Sequence, residues 1–344
     1  MITIKEIADL ADVSTTTISN VIHGKTDKMK PDTLERISKI LKEKKYIANM
    51  GARLTASNRS RLIGIIINNP STEDKNALQD PYIGNLFGAM EREIRNMGYY
   101  MLSYVAEKEN SLSNRIDEIL NMALGWKIDG LILIGMNTIE CQTLIRISPI
   151  PLVFIDSYCI YPDCVNVGIE DQKGGYLLTQ YLISMGHKRI AFLADRKVPI
   201  DVDGARLAGY REALEEAGLP FIEDDILLLS RNHEKRQENF EMLYQNLSHY
   251  SALFFCSDYY ASEALRFFLK KGVNVPNDIS ITGFDDNYFS QIVLPGITTI
   301  QQPVDLKGST AVQKLISIIE NGNLEEKKTL FPVKLIIRES VSAI

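Results

Sequence analysis

Apolar residues recur at helical spacing twice within the first 22 positions, as Ile4, Ile7, Ala8 and Ala11, then as Ile18, Val21 and Ile22. Asp12, Val13 and Ser14 fill the break, with Ser14 placed to N-cap the second helix. A third stripe, Leu34, Ile37, Ile40 and Leu41, follows Pro31-Asp32-Thr33 and can close a three-helix core. This pattern predicts a helix-turn-helix unit, whose second helix is the element that enters a DNA major groove. Thr15, Thr16, Ser19 and Asn20 point away from the apolar stripe and are short enough to approach base edges or phosphates.

From residue 62 the pattern changes to short β-branched runs alternating with longer amphipathic stretches. Strands are predicted at 63–67, 101–105, 131–134 and 152–155, with helices at 83–94, 111–124 and 138–147 between them. After a strand at 165–169 the alternation restarts. Helices at 172–185, 204–217, 235–246 and 258–271 lead to strands at 189–194, 226–229, 252–256 and 279–283. Such alternation implies two doubly wound parallel-sheet lobes, and ligands of these sheets sit outside the carboxyl ends of the strands. Two lobes facing each other therefore define a cleft. Asp156, Asp171, Arg206, Ser257 and Asp285 all fall at strand ends or helix starts, where that rule puts ligand contacts.

Charge divides the chain in the same place. The first 61 residues carry 12 Lys and Arg against 7 Asp and Glu, a net of +5 within a chain of −6, leaving −11 for the rest. A basic head on an acidic body suits an anionic polymer gripped at one end. No apolar run approaches a membrane span and the start does not read as a signal peptide, so a cytoplasmic protein with no membrane partner is expected. Cys141, Cys159, Cys164 and Cys256 lack metal or redox spacing and read as buried free thiols. His187 follows a predicted helix end, where the C-terminal dipole accounts for it. A glycine-rich dinucleotide turn, a phosphate loop, a serine elbow and a zinc helix are all absent from the sequence. Neither a cofactor nor a metal is expected, and the protein reads as a non-enzyme.

The signposts run in order: Asp129-Gly130-Leu131-Ile132, Gly186-His187-Lys188-Arg189-Ile190-Ala191-Phe192, Arg206-Leu207-Ala208-Gly209-Tyr210, Val275-Pro276-Asn277-Asp278-Ile279-Ser280 and Gly283-Phe284-Asp285-Asp286. With the head, this order resembles the lactose-repressor/galactose-repressor (LacI/GalR-type) family of bacterial transcriptional regulators. The resemblance implies a helix-turn-helix domain at 1–48, a hinge at 49–60 and an effector-binding, dimerising body of periplasmic-binding-protein type at 61–344. The first lobe would hold about 61–160 with 303–325. The second would hold 161–302 with the C-terminal strand, so the chain crosses between lobes three times.

The DNA-contacting set expected from the head and the resemblance is Lys5, Ser14, Thr15, Thr16, Thr17, Ser19, Asn20, His23, Thr33 and Tyr46, with Asn49, Ala52 and Leu54 from the hinge. In the family the hinge is a short helix whose leucine pries open a minor-groove base step. Here Ala48 replaces the family's proline and Thr55 holds its leucine position, with Leu54 one residue earlier, about 100° round a helix. Either Leu54 rotates in or the operator is kinked less. In sugar-responsive relatives the positions of Asp171, Arg206, Ser257 and Asp285 contact the effector, and that of Ser257 is often Asn. Asp156 and Tyr82 are further cleft candidates; Tyr82 reads equally as a stacking platform or a core aromatic. Asp258 is favoured as the N-cap of the helix it opens. The expected partners are a pseudo-palindromic double-stranded DNA operator, a small sugar effector and a second copy of the chain. A freestanding sugar-binding module and a sugar-modifying enzyme are the rival readings, opposed by the basic head and by the missing catalytic motifs.

Overall fold

Thr3 and Glu6 fix where the chain first becomes helical. Thr3 Oγ1 accepts the Glu6 N–H at 3.2 Å while Glu6 Oε2 accepts the Thr3 N–H at 2.7 Å, a reciprocal cap that opens α1 (Ile4–Ala11). The computed structural model describes residues 2–22, 26, 29–44, 46, 59–69, 77–107, 112–195 and 200–344. Helix α1 ends at Asp12 in the left-handed conformation (φ 48°), and α2 (Thr15–Ile22) begins after the expected Ser14 cap, whose Oγ accepts the Thr17 N–H at 3.1 Å. Helix α3 (Pro31–Glu43) starts at Pro31, where the missing N–H costs nothing. Ile7, Ala8, Ala11, Ile18 and Ile37 form the small core that the apolar spacing predicts.

The body starts with β1 (Leu62–Asn69), in which Leu62 to Ile67 are all buried, as expected for a central parallel strand covered on both faces. It continues through α4 (Pro81–Asn96), β2 (Tyr100–Glu107), α5 (Leu112–Gly125), β3 (Gly130–Ile134), α6 (Thr138–Ile147), β4 (Leu152–Ile155) and β5 (Asn166–Ile169). The second lobe holds α7 (Asp171–Ser184), β6 (Ile190–Ala194), α8 (Val202–Glu216), β7 (Ile226–Leu228), α9 (His233–Gln245), β8 (Ala252–Phe255), α10 (Asp258–Lys270), β9 (Ser280–Thr282) and the short α11 (Tyr288–Ile292). Strand β10 (Thr299–Gln301) carries the chain back, α12 (Val304–Asn321) and β11 (Lys328–Phe331) belong to the first lobe, and β12 (Lys334–Ile336) pairs antiparallel with β10. The first sheet runs β11-β5-β4-β3-β1-β2 and the second β7-β6-β8-β9, all parallel.

Two expected lobe boundaries change. Strand β5 lies in the first sheet, with Phe154 opposite Asn166 and Ile155 opposite Val167, so the first crossover falls after Ile169 rather than near 160. The returning segment extends to β11, beyond 325, because Lys328–Phe331 completes the sheet edge beside β5. Alternating patterns identify a buried strand but not which of two sheets accepts it. His187 is buried, and burial lowers its pKa, which disfavours the cation that a helix-dipole contact needs. The four cysteines are free and buried, as read from their spacing.

Helices α7 and α8 touch backbone to backbone. A Cβ built on Gly175 would lie 2.1 Å from the Arg206 carbonyl oxygen, and one on Gly209 would lie 1.9 Å from that of Gln172. No side chain fits there, and this closeness brings Arg206 onto Asp171. Gly209→Ala must push the helices apart and is expected to cost about 2 kcal/mol or more, read as a fall in the urea midpoint. Gly84→Ala, whose Cβ meets nothing within 4 Å, should be neutral or slightly stabilising in the same assay.

Candidate DNA-binding and ligand-binding sites

On α2 the buried Ile18 fixes the rotation of the helix, and at about 100° per residue Thr16 and Asn20 fall on the side opposite it. Ser14, Thr15, Thr16 and Lys5 are exposed, and Thr17, Ser19, Asn20 and Thr33 are half-buried. The Ser14 and Thr17 hydroxyls are 2.9 Å apart and bonded to each other, so both are engaged in starting the helix. Tyr46 is half-buried and packs one side against the head core, its N–H donating to Leu41 O at 3.0 Å and its phenol pKa raised by burial. His23, Asn49, Ala52 and Leu54 lie outside the described residues.

Between the lobes is a cavity of about 190 Å³. Tyr82, Asp156, Arg206, Ser257 and Asp285 all line it. Asp156 follows β4 and Asp285 follows β9, one from each lobe, and both have positive φ (54° and 120°). Non-glycine residues pay in backbone strain for such conformations, which persist where surrounding contacts over-determine them. Burial pushes the Asp285 carboxyl well up, partly opposed by Arg206, and Gln302 Nε2 donates to it at 2.6 Å. Tyr82 packs against the first-lobe core, in line with its core reading, while lining the cavity, and its hydroxyl donates to Asp156.

Arg206 is more constrained than a free ligand fork. Its Nε donates to Asp171 at 2.8 Å, its Nη1 to Cys256 O at 2.5 Å, and its guanidinium lies 3.6 Å from the centre of the Phe284 ring. Burial works against its charge, but Asp171 and Asp285 outweigh burial and raise its pKa. Asp171, expected to touch ligand, sits behind Arg206 at 2% exposure and accepts the Tyr158 hydroxyl at 2.6 Å. It supports the cleft wall without forming it. Ser257, not Asp258, caps α10, accepting the Tyr259 N–H at 3.1 Å. Asp258 is fully buried and accepts the Asn287 N–H at 2.9 Å and the Thr299 hydroxyl at 2.6 Å, tying α10 to β10.

Asn68, Asp195, Arg231, Tyr260 and Gln302 also line the cavity and were not singled out from the sequence. Arg231 Nε lies 2.8 Å from Asp195 Oδ2, which also accepts the Tyr260 hydroxyl at 3.0 Å. Asn68 in β1 and Asp195 just past β6 obey the same strand-end rule that identified Asp285, so the signal was present. Lys307 on α12, 1% exposed beneath the cavity, also went unmarked, although a lysine within the apolar stripe Val304, Ala311, Val312 and Leu315 is itself a signal.

The segment 3–49 matches the family model for bacterial regulatory proteins of the lacI family, and 179–341 matches that of a periplasmic binding protein-like domain. The HTH-type transcriptional repressor PurR of Haemophilus influenzae (strain PittEE) is 30% identical over 351 residues and covers both chains fully. Catabolite control protein A of Priestia megaterium is 29% identical, covering 98% of this chain and 99% of its own. Among solved structures, a lac repressor dimer bound to operator and the anti-inducer ONPF superposes with a TM-score of 0.85 at 23% identity, covering 99% of both chains. A regulator from Enterococcus faecium with bound ribose gives 0.68 at 22% identity, over 82% of this chain and 99% of that one. A CelR–cellobiose complex gives 0.72 at 24%, over 99% of this chain and all of that one.

Three outcomes follow from this geometry. Arg206→Ala leaves Asp171 buried without its cation and should cost about 3–5 kcal/mol of stability, read by denaturant unfolding without ligand. The Asp258 carboxyl is pushed up to about 7, burial outweighing the hydrogen bonds from Thr299, Asn287 and Ser290 that lower it. A carboxyl whose folded pKa is raised contributes stability that is present below about pH 4 and lost as pH rises through about 7. Asp258→Asn should therefore flatten the fall in stability over that window. Asn20→Ala should relax preference at one base pair per half-site by about 1–3 kcal/mol; identical consensus sequences selected from random DNA by both proteins would remove Asn20 from base readout.

Proposed function

Because this chain belongs to the lacI family of bacterial regulatory proteins, we propose that it is a homodimeric transcriptional repressor whose hold on a pseudo-palindromic operator is set by a small sugar in the inter-lobe cleft. The family is one of DNA-binding transcriptional regulators, and this reading involves no turnover. The observation that carries it is the convergence of Asp156 and Asp285, one from each lobe, on a single cavity beside the Arg206 fork. Carboxylates and a planar donor together match the vicinal hydroxyls of a sugar, which both donate and accept. The ribose and cellobiose held by two similar regulators support the same class. Among the described residues no helix is long and apolar enough to cross a membrane, and the repressor acts in the cytoplasm, where its DNA is.

The mechanism is a population shift between lobe arrangements. Asp285 begins the loop that enters α11 three residues later, and α11 with its following turn exposes Tyr288 (64%), Ile292 (52%) and Leu294 (84%). We place a second copy of the chain on this exposed apolar face; a solved relative of the same fold is a dimer. Ligand drawing Asp285 towards the first lobe moves the start of α11 and so biases the pairing of two heads through hinges at 49–60.

Two heads on one twofold body grip two half-sites, whereas one head buries too little surface for tight specific binding. Ile292→Asp/Leu294→Asp should convert the protein to monomers in sedimentation and reduce affinity for a full operator to that for a half-site. A monomeric wild type, or an isolated half-site bound as tightly as the full operator, contradicts the dimeric reading.

A further inference from the structure

Helix α12 buries an apolar stripe against the first sheet, yet one position of that stripe is Lys307, 1% exposed. Its Nζ donates to both Asp156 oxygens, at 2.8 and 3.0 Å, and to Gln302 Oε1 at 2.6 Å, and lies 4.8 Å from the centre of the Tyr82 ring. Gln302 passes the contact on, its Nε2 donating to Asp285 Oδ1 at 2.6 Å. Tyr82, Asp156, Lys307, Gln302 and Asp285 thus make one unbroken polar chain along the cavity floor, from the first lobe through the crossover to the second. Burying an ammonium is costly unless it is paired and hydrogen-bonded. An apolar residue would fill the stripe without that cost, so a structural role alone gives no reason for the lysine.

The described lining carries five aspartates and two arginines. The three described cations at the site face carboxylates: Lys307 meets Asp156, Arg206 meets Asp171 and Arg231 meets Asp195. A ligand bearing phosphate or carboxylate would enter a floor where each of these described cations already faces a carboxylate. A polyol instead donates its hydroxyl protons to those carboxylates.

We propose that Lys307 is a positioning residue for the effector: it fixes Asp156 and, through Gln302, Asp285, so that the closed cleft selects uncharged polyhydroxylated ligands over their phosphorylated or acidic counterparts. This rests on the reading of the cleft as a sugar site. Because Gln302 lies on the crossover, the same chain also ties ligand contacts in one lobe to those in the other.

The test uses the full-length chain and a panel of unphosphorylated mono- and disaccharides including ribose and cellobiose, each beside a phosphate ester such as ribose 5-phosphate. Thermal shift and calorimetry report binding, and fluorescence anisotropy reports operator affinity without ligand. The expected result is that an uncharged sugar raises the melting temperature and its phosphate ester does not at the same concentration. Lys307→Met should then bind that sugar at least tenfold more weakly while still binding operator, as a folded protein does. Lys307→Arg, which restores a cation beside Asp156, should recover most of the loss. If Met at 307 unfolds the protein by stranding Asp156, the pair Asp156→Asn/Lys307→Met removes both charges and should fold but bind at least tenfold more weakly. A phosphate ester that binds as tightly as the sugar overturns the selection, and a folded 307 variant with unchanged sugar affinity overturns the positioning role. In both cases the cleft remains a sugar site. A wild-type protein that binds no sugar of the panel overturns the sugar reading itself, and this inference with it.

Discussion

The ion pair between Asp171 and Arg206 is the interaction to which the rest of the cleft is referred. Asp171 is the first residue of the helix that follows the first crossover, and Arg206 lies on the next helix, held against it by the close approach at Gly175 and Gly209. One guanidinium then meets a carboxylate, the Cys256 carbonyl at the end of the third strand of its sheet, and the Phe284 ring beside Asp285. Tyr158 reaches Asp171 from the first lobe. A single buried pair therefore sets the relative positions of three strand-end loops and touches the opposite lobe. Such a pair contributes little net stability against an apolar alternative, but losing one partner is expensive, so the arrangement behaves as all or none.

A second polar chain, through Lys307 and Gln302, runs along the floor of the same cavity and joins what the first positions. The two chains differ in direction. Asp171 and Arg206 stiffen the second lobe internally, whereas Asp156, Lys307, Gln302 and Asp285 link one lobe to the other. Asp285 adjoins Asp286, which Arg338 holds on the returning C-terminal segment, and the loop leads into the exposed face of α11. Ligand contact, crossover geometry and the proposed dimer surface are thus neighbours in sequence as well as in space. On the proposed mechanism, that adjacency is the short mechanical route from a small ligand to the pairing of the heads.

Much of this was legible in the residues. The helix-turn-helix follows from the spacing of Ile7, Ala11 and Ile18 with the Ser14 cap, because a small helical unit buries a narrow stripe whose period survives in the sequence. Strand ends marked Asp156, Ser257 and Asp285 because a doubly wound sheet leaves little choice about where its ligands sit. Asp171 was misplaced by one layer: a strand-end carboxylate can face the cavity or the arginine behind it, and only the α7–α8 contact decides. The membership of β5 was illegible for a related reason, since an apolar run fits either sheet until its neighbours are known. Lys307 needed attention to an exception, a charge within an apolar period, which averaging over the helix hides.

The central claim is that cleft and operator are thermodynamically coupled. Coupling is reciprocal, so operator must change the affinity for ligand by the same factor that ligand changes the affinity for operator. Calorimetric titration of the bound sugar into the protein, with and without a saturating operator duplex, measures this directly. A difference of about 5–150-fold between the two affinities is the predicted result. Equal affinities in the presence and absence of operator would contradict the account.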